Sequence, residues 1–260
     1  MQCIEAPKIW HGIRKQFPSS LQLGFVPTMG NLHTGHASLI EKSLAENDKT
    51  IVSIFINPTQ FNASADYQKY PKTLDQDLQL LESLGVDYCF HPDIEAMYPD
   101  QYQYQVQIHS GANERDEAHM EALHRPGHFT GVLTVVMKLL QCIRPHNVYF
   151  GEKDYQQFSI IRDMVRAFLM DINIIACPTI REPSGLPFSS RNNRLSAEQR
   201  QKADIFAALF HDQSAISDEA IQQTLAKQGF RVDYIETHWQ RRFAAVWIDD
   251  IRLIDNYAMV

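Results

Sequence analysis

Through the first 180 residues, short runs rich in β-branched and aromatic side chains alternate with longer runs whose apolar residues recur every three or four positions. The short runs at 21–26, 50–56, 87–90, 147–150 and 173–177 predict strands, and those at 35–46, 73–84, 130–142 and 155–169 predict helices. Such alternation implies βαβ units and a parallel sheet covered by helices on both faces, a doubly wound, Rossmann-like α/β fold. Ligands on these sheets bind outside the carboxyl ends of the strands, near a topological switch point. The polar clusters sit at those ends: His33 and His36 after the first run, Asn57 and Gln60 after the second, Glu152 to Gln157 after a later one.

Between 181 and 195 the pattern breaks into a loop rich in Pro, Gly and Ser, after which Ser196-Ala-Glu-Gln199 offers a capping box for a new helix. A domain boundary is expected there, separating residues 1–182 from a smaller α+β domain at 183–260. The latter should contain a helix at 217–227 and β-like runs at 232–237, 243–248 and 251–253.

Charge and composition narrow the function classes. A net charge of −7 argues against a nucleic-acid partner, which calls for a basic excess or stripe. Cysteines 3, 89, 142 and 177 lack metal-ligand spacing and read as reduced thiols. The amino terminus lacks a basic segment followed by an apolar one, and the most apolar run, 131–143, is short and broken by Lys138. A cytoplasmic enzyme or binding protein, with no membrane partner, is expected.

Two stretches carry the most chemistry, Val26-Pro-Thr-Met-Gly-Asn-Leu-His33-Thr-Gly-His36 and Phe188-Ser-Ser-Arg191-Asn. The first is a predicted strand, a Gly-containing turn and a helix start. Helix N-termini leave backbone N–H groups unpaired and carry partial positive charge, which suits phosphate. Gly30 and Gly35 allow close backbone approach. His33 and His36 lie three apart, and a positive helix end favours neutral imidazoles that donate to phosphate oxygens. A metal reading of the pair lacks a third ligand nearby. In the second stretch, two hydroxyls and a guanidinium on a mobile segment would stabilise charge on departing pyrophosphate. Together the two suggest ATP cleaved at its α-phosphate.

Three further clusters fit a small anionic substrate. Gln60 offers two donors and an acceptor, which suits a ligand with hydroxyl and carboxylate groups, while Asn57, preceding a proline, fits a turn equally well. At the 150–157 junction Lys153 can set charge against phosphate, Gly151 permits close approach, Asp154 can cap a helix, and Gln157 lies on the side of Lys153. Asp75 and Asp77 stand where a hydrated magnesium ion could be held, or as solvated helix charges. No Walker A run, G-x-G-x-x-G fingerprint or G-x-S-x-G elbow is present, which removes the commonest kinase, dehydrogenase and hydrolase readings.

The first motif resembles the H-x-G-H signature of the nucleotidyltransferase superfamily, and Phe-Ser-Ser-Arg-Asn resembles its second signature. Six stretches, Pro27-Thr-Met-Gly-Asn-Leu-His-Thr-Gly-His36, Ile54-Phe-Ile-Asn-Pro-Thr-Gln-Phe61, Tyr70-Pro-Lys-Thr-Leu-Asp75, His128-Phe-Thr-Gly-Val132, Phe150-Gly-Glu-Lys-Asp-Tyr-Gln-Gln157 and Pro178-Thr-Ile-Arg-Glu182, stand in the order found in the pantothenate synthetase (pantoate–β-alanine ligase) family. The resemblance implies that pantoate and β-alanine are joined through a pantoyl adenylate, with ATP as substrate and Mg2+ present, in a homodimer whose carboxyl-terminal domain acts as a lid. By the same resemblance, Met29, Gly30, Asn31, Leu32, His33, Thr34, Gly35 and His36 contact ATP, with His36 as proton donor and His33 and Lys153 beside it in catalysis. Gly151, Glu152, Lys153, Asp154, Ile180, Phe188, Ser189, Ser190 and Arg191 complete the nucleotide contacts. Gln60 binds pantoate and β-alanine, Gln157 binds pantoate, and Asn57, Arg125 and His128 line the pocket, with Asp77 on the metal. The chain departs from the family pattern at Phe188, where methionine is usual, at Asn31, where alanine is usual, and in a carboxyl-terminal domain shorter by some tens of residues. Two other readings remain open: a nucleotidyltransferase acting on a phosphorylated substrate, and a non-catalytic nucleotide sensor.

Overall fold

The computed structural model describes residues 1–62, 67–109, 119–211 and 217–259. Strands β1 (Gln2–Ile4), β2 (Leu23–Thr28), β3 (Lys49–Ile54), β4 (Tyr88–Phe90), β5 (Asn147–Gly151) and β6 (Asn173–Cys177) pair in parallel in the order β1-β4-β3-β2-β5-β6. Side chains two apart on a strand share a face. On one face Val26, Val52, Ile54, Cys89, Tyr149 and Cys177 pack with Ile40 of the Thr34–Glu46 helix and Leu81 of the Leu74–Leu84 helix. The alternate positions Leu23, Phe25 and Ile51 are equally buried. On that side the His128–Ile143 helix packs against β2, and the Pro7–Arg14 helix packs against it through a bond from the Trp10 indole N–H to the Ile143 carbonyl at 3.2 Å. The doubly wound expectation is met.

Strand β2 runs two residues beyond its expected end, through Pro27, and the pairing explains why. The Thr28 carbonyl accepts from Phe55 N at 3.1 Å, so Thr28 faces β3 and its neighbour Pro27 faces β5. There the pairing stops at Phe25 and Val148, so the N–H that proline lacks has no ladder partner to miss. The chain winds outward from β2 through β3 to β4, then returns to place β5 on the other side of β2. Strands β2 and β5 therefore part company at the switch point of the sheet, with a proline marking the place.

The turn after β2 is held from below. Gly30 and Asn31 have positive φ, 77° and 51°, a conformation that costs an ordinary residue energy. The Asp77 carboxylate accepts from Asn31 N at 2.8 Å and Leu32 N at 2.7 Å, and from the Thr73 hydroxyl at 3.1 Å. A Cβ at Gly30 would stand 2.9 Å from the same carboxylate, so glycine is required there for space as well as for φ.

The chain divides into two compact units, Met1–Glu152 with Gln156–Cys177, and Lys153–Tyr155 with Pro178–Val260. The second contains the helices Ala197–His211 and Asp218–Lys227 and an antiparallel sheet of β7 (Arg231–His238), β8 (Arg241–Ile248) and β9 (Ile251–Ala258). Phe206, Phe210, Ile221, Leu225, Val246 and Leu253 fill its core. The capping box forms as expected, Gln199 N to Ser196 Oγ at 3.2 Å and Ser196 N to Gln199 Oε1 at 2.9 Å. The segment before it, expected as a mobile loop, is tied by backbone bonds from Phe188 N to Ile180 O and from Glu182 N to Leu186 O. Asn192 further clamps it, donating to Glu182 Oε1 at 2.8 Å and Pro187 O at 3.0 Å.

Asp77→Asn would turn an amide N–H₂ toward backbone N–H donors and remove a charge from a fully used acceptor. The expected loss is about 2–4 kcal/mol of stability. Denaturant unfolding of the variant measures it, and an unchanged midpoint would count against Asp77 as the support of the turn.

Candidate active site

His33 and His36 begin the helix in an unusual way. His33 is its N-cap, and its Nδ1 accepts from Gly35 N at 3.1 Å, while Nδ1 of His36 accepts from His33 N at 3.3 Å. The two rings stand 4.0 Å apart between centroids. A backbone N–H can only donate, so both Nδ1 atoms present lone pairs and a neutral ring carries its proton on Nε2. The pair thus satisfies two orphan N–H groups of the helix and directs two Nε2–H donors away from the backbone. Sequence reasoning assigned these histidines to a ligand and missed that they also cap the helix. The signal was present, because a side-chain acceptor at N-cap with a second at N3 is capping-box spacing.

After β3, Asn57 caps the short Pro58–Gln60 helical turn and gathers the amide cluster. Its Oδ1 accepts from the Tyr98 hydroxyl at 2.7 Å and the Thr59 hydroxyl at 3.1 Å. Its Nδ2 donates to Gly131 O at 3.1 Å and Gln60 Oε1 at 3.2 Å. Gln60 in turn donates through Nε2 to the Met29 sulfur, which joins this cluster to the first signature. The Gln60 carbonyl accepts from His128 Nδ1 at 2.8 Å and from an Arg125 N–H at 3.4 Å. Arg125 also pairs with Glu121 at 3.4 Å. The structure therefore brings Met29, Asn57, Gln60, Arg125 and His128 together. Gly131 matters to this assembly through its size, since a Cβ there would overlap the Thr59 carbonyl and lie 2.8 Å from the Gln60 nitrogen.

Gln157 lies half-buried in the first turn of the Tyr155–Ala167 helix. Its neighbour Gln156, which sequence reasoning passed over, is buried, accepts from Glu121 N at 3.0 Å and donates to the His119 carbonyl at 3.3 Å. Gln156 holds the Met120–His124 helix that carries Glu121 and leads into Arg125. Sequence reasoning missed Tyr98 and Gln156, which reach the cluster only through long-range bonds, and also Thr59 and Glu121, whose bonds to Asn57 and Arg125 are local.

Gly151 ends β5 beside β6, and Glu152 to Asp154 form one helical turn. Lys153 to Tyr155 pack within the second unit. Asn256 of β9 donates to the Lys153 carbonyl at 2.7 Å, and Tyr155 lies beside Trp239 and Phe243 with the Arg241 guanidinium 4.4 Å above its ring. The Lys153 ammonium stands 3.6 Å from Asp154. In the same unit Ser189 caps the Ser190–Arg194 turn by accepting from Arg191 N at 3.2 Å, and Ile180 and Phe188 are joined through their backbones at 3.1 Å. Ile180, Phe188, Ser189, Ser190 and Arg191 are all half-buried.

Asp77, expected on a metal, is 3% exposed and accepts from three donors. That environment suits a carboxylate supporting a turn and does not fit a ligand to a hydrated magnesium ion, which needs an open face toward water and phosphate. Asp75, on the same helix, is exposed.

The chain is similar to known proteins over nearly its whole length. The model of the pantoate-beta-alanine ligase family matches residues 3–258. A pantothenate synthetase of Legionella pneumophila (strain Lens) is 52% identical over 259 residues, covering 100% of both chains. One from Coxiella burnetii (strain Dugway 5J108-111) is 51% identical over 253 residues, 97% of this chain and 95% of the relative. Among solved structures, a pantoate-beta-alanine ligase from Francisella tularensis, complexed with beta-gamma ATP and beta-alanine, superposes with a TM-score of 0.95 at 43% identity, covering 100% of this chain and 98% of that one. The pantothenate synthetase of Thermus thermophilus gives 0.89 at 36% identity, covering 100% and 99%. Because the Legionella relative is matched over its whole length, the short carboxyl-terminal domain is shared with it. With the family model spanning nearly the whole sequence and relatives matched end to end, the chain belongs to the pantoate-beta-alanine ligase family.

Proposed function

We propose that the chain condenses pantoate with β-alanine at the expense of ATP, releasing AMP and pyrophosphate. The observation that carries the reading to this chain's own atoms is the histidine-capped helix start, where two Nε2–H donors stand at the carboxyl end of β2 beside the switch point. In the first step a pantoate carboxylate oxygen bonds to the α-phosphorus, the bond from that phosphorus to the β-phosphate bridge breaks, and pyrophosphate leaves. In the second, the neutral amine of β-alanine bonds to the acyl carbon, the bond to the AMP oxygen breaks, and the amine gives up a proton. AMP leaves readily, so no protein nucleophile is needed and catalysis rests on positioning and charge.

In this reading His36 and His33 donate to phosphate oxygens, with His36 as proton donor. Residues Met29 to Leu32, Thr34 and Gly35 cradle the nucleotide. Gly151 to Asp154, Ile180 and Phe188 to Arg191 contribute the other nucleotide contacts, and Lys153 adds charge. Gln60 binds pantoate and β-alanine and Gln157 binds pantoate, with Asn57, Arg125 and His128 around Gln60. We assign residues 1–182 to ATP and pantoate and residues 183–260 to the smaller domain, in a homodimer working in the cytoplasm. No helix among the described residues is long and apolar enough to cross a membrane. Magnesium belongs to the reading as a counter-ion of the triphosphate, with Asp77 serving the turn. A transferase for phosphorylated substrates is less well supported, because Arg125 is engaged with Glu121 and the Gln60 carbonyl while amides line the pocket.

Pyrophosphate release should require both ATP and pantoate, and pantothenate should form only on adding β-alanine; release independent of pantoate would refute the reading. His36→Ala should lower the adenylation rate by roughly 10²- to 10⁴-fold in single-turnover assays, the range of a positioned proton donor. A variant with unimpaired adenylation would remove His36 from that role.

A further inference from the structure

Tyr98 follows the Ile94–Met97 helix, and its hydroxyl is buried, 3% of the residue being exposed. Burial pushes its pKa up to about 12, so it is a neutral O–H donor throughout the working range. Its bond to Asn57 Oδ1, at 2.7 Å, is the shortest that Asn57 makes. Thr59 adds its hydroxyl at 3.1 Å and its N–H at 3.4 Å to the same oxygen. The opposite edge of the Asn57 amide faces Gly131 O, a group that can only accept, so the orientation of Asn57 is determined on both sides. The second N–H of Asn57 then occupies Gln60 Oε1. The Gln60 amide is thereby oriented, with its oxygen on Asn57 and one Nε2 N–H on the Met29 sulfur.

We propose that Tyr98 is a positioning residue for the acyl substrate: through Asn57 it fixes which way the Gln60 amide faces, so that a Gln60 Nε2 N–H meets an oxygen of the acyl substrate. The inference rests on the reading of Gln60 as a pantoate-binding amide and deepens it. Gln60 offers to a pantoate oxygen the Nε2 N–H that Met29 does not take. Tyr98 is absent from the residues that the resemblance supplied, and it does not touch the substrate in this scheme.

Tyr98→Phe deletes one oxygen and keeps the ring against Phe55 and Tyr102 and under the Lys138 ammonium, 4.9 Å from its centre. Steady-state kinetics on the full chain should show the KM for pantoate raised about 3- to 10-fold, the size of one hydrogen bond, with the KM for ATP unchanged. Adding Tyr98→Phe to Gln60→Ala should raise the pantoate KM no further, because the side chain being oriented is already gone. A merely structural role would instead lower the thermal midpoint and shift the KM for ATP as well, or add its full effect in the Gln60→Ala background, and either result overturns the inference. If Gln60→Ala alone leaves the pantoate KM unchanged, the pantoate assignment of Gln60 fails and the inference with it; if that variant raises the KM while Tyr98→Phe has no effect, the inference fails alone.

Discussion

The carboxylate of Asp77 carries the turn on which the first signature depends. Two successive residues, Gly30 and Asn31, are held at positive φ, and the backbone N–H groups of Asn31 and Leu32 point down onto Asp77 rather than out to water. A buried anion of this kind is tolerated because its oxygens are matched by donors, and removing one side would leave the other unsatisfied. The support comes from the first turn of a helix more than forty residues away in the chain. The backbone of the turn is thus pinned to the same layer of helices that covers the sheet.

From that turn the chemistry follows by geometry. The chain leaves β2 where β5 no longer pairs with it, passes over Asp77 and enters a helix capped by two imidazoles. The same hydrogen bonds that satisfy the helix start choose the tautomer of each ring, so folding and catalytic readiness share one set of contacts. On the neighbouring strand, Asn57 organises Gln60, and the glycine at 131 lets the His128–Ile143 helix come close enough for its carbonyl to be reached. The Asn57 amide meets acceptors at its nitrogen and donors at its oxygen, which is what gives the side chain a direction.

Within the second unit a buried ion pair does comparable organising. The Asp255 side chain is fully buried and accepts two bonds from Arg181, at 2.9 and 3.0 Å, and one from His211 at 2.7 Å. Such a pair contributes little net stability when complete and costs much when broken, which makes it a device for fixing geometry. Arg181 belongs to the Pro-Thr-Ile-Arg-Glu stretch and Asp255 to β9, so the second signature's hairpin is registered against the carboxyl-terminal sheet. The adjacent Asn256 holds the Lys153 carbonyl on that same sheet.

The amino-acid sequence by itself determined the alternation of strands and helices, the parallel α/β class and the placing of histidines and amides at strand ends. Each of these is written in local periodicity, turn chemistry or a short motif. Strand β1 and the Pro7–Arg14 helix escaped notice because three residues with only Ile4 buried carry no periodic signal, and eight helical residues carry little more. The run through Pro27 was undervalued because a proline normally ends a central strand; only the divergence of β2 from β5 makes it acceptable. The support that Asp77 gives the turn has no sequence signal for a related reason: an acidic residue in a helix's first turn reads as a solvated charge or a metal ligand until the turn packed above it is known. Tertiary structure alone decided that Asp77 supports backbone, that Lys153 packs with residues a hundred positions later, and that Tyr98 reaches Gln60 through Asn57. Hydrogen-bond partners far apart in the chain leave no spacing in the sequence, so their pairing exists only once the strands and helices are stacked.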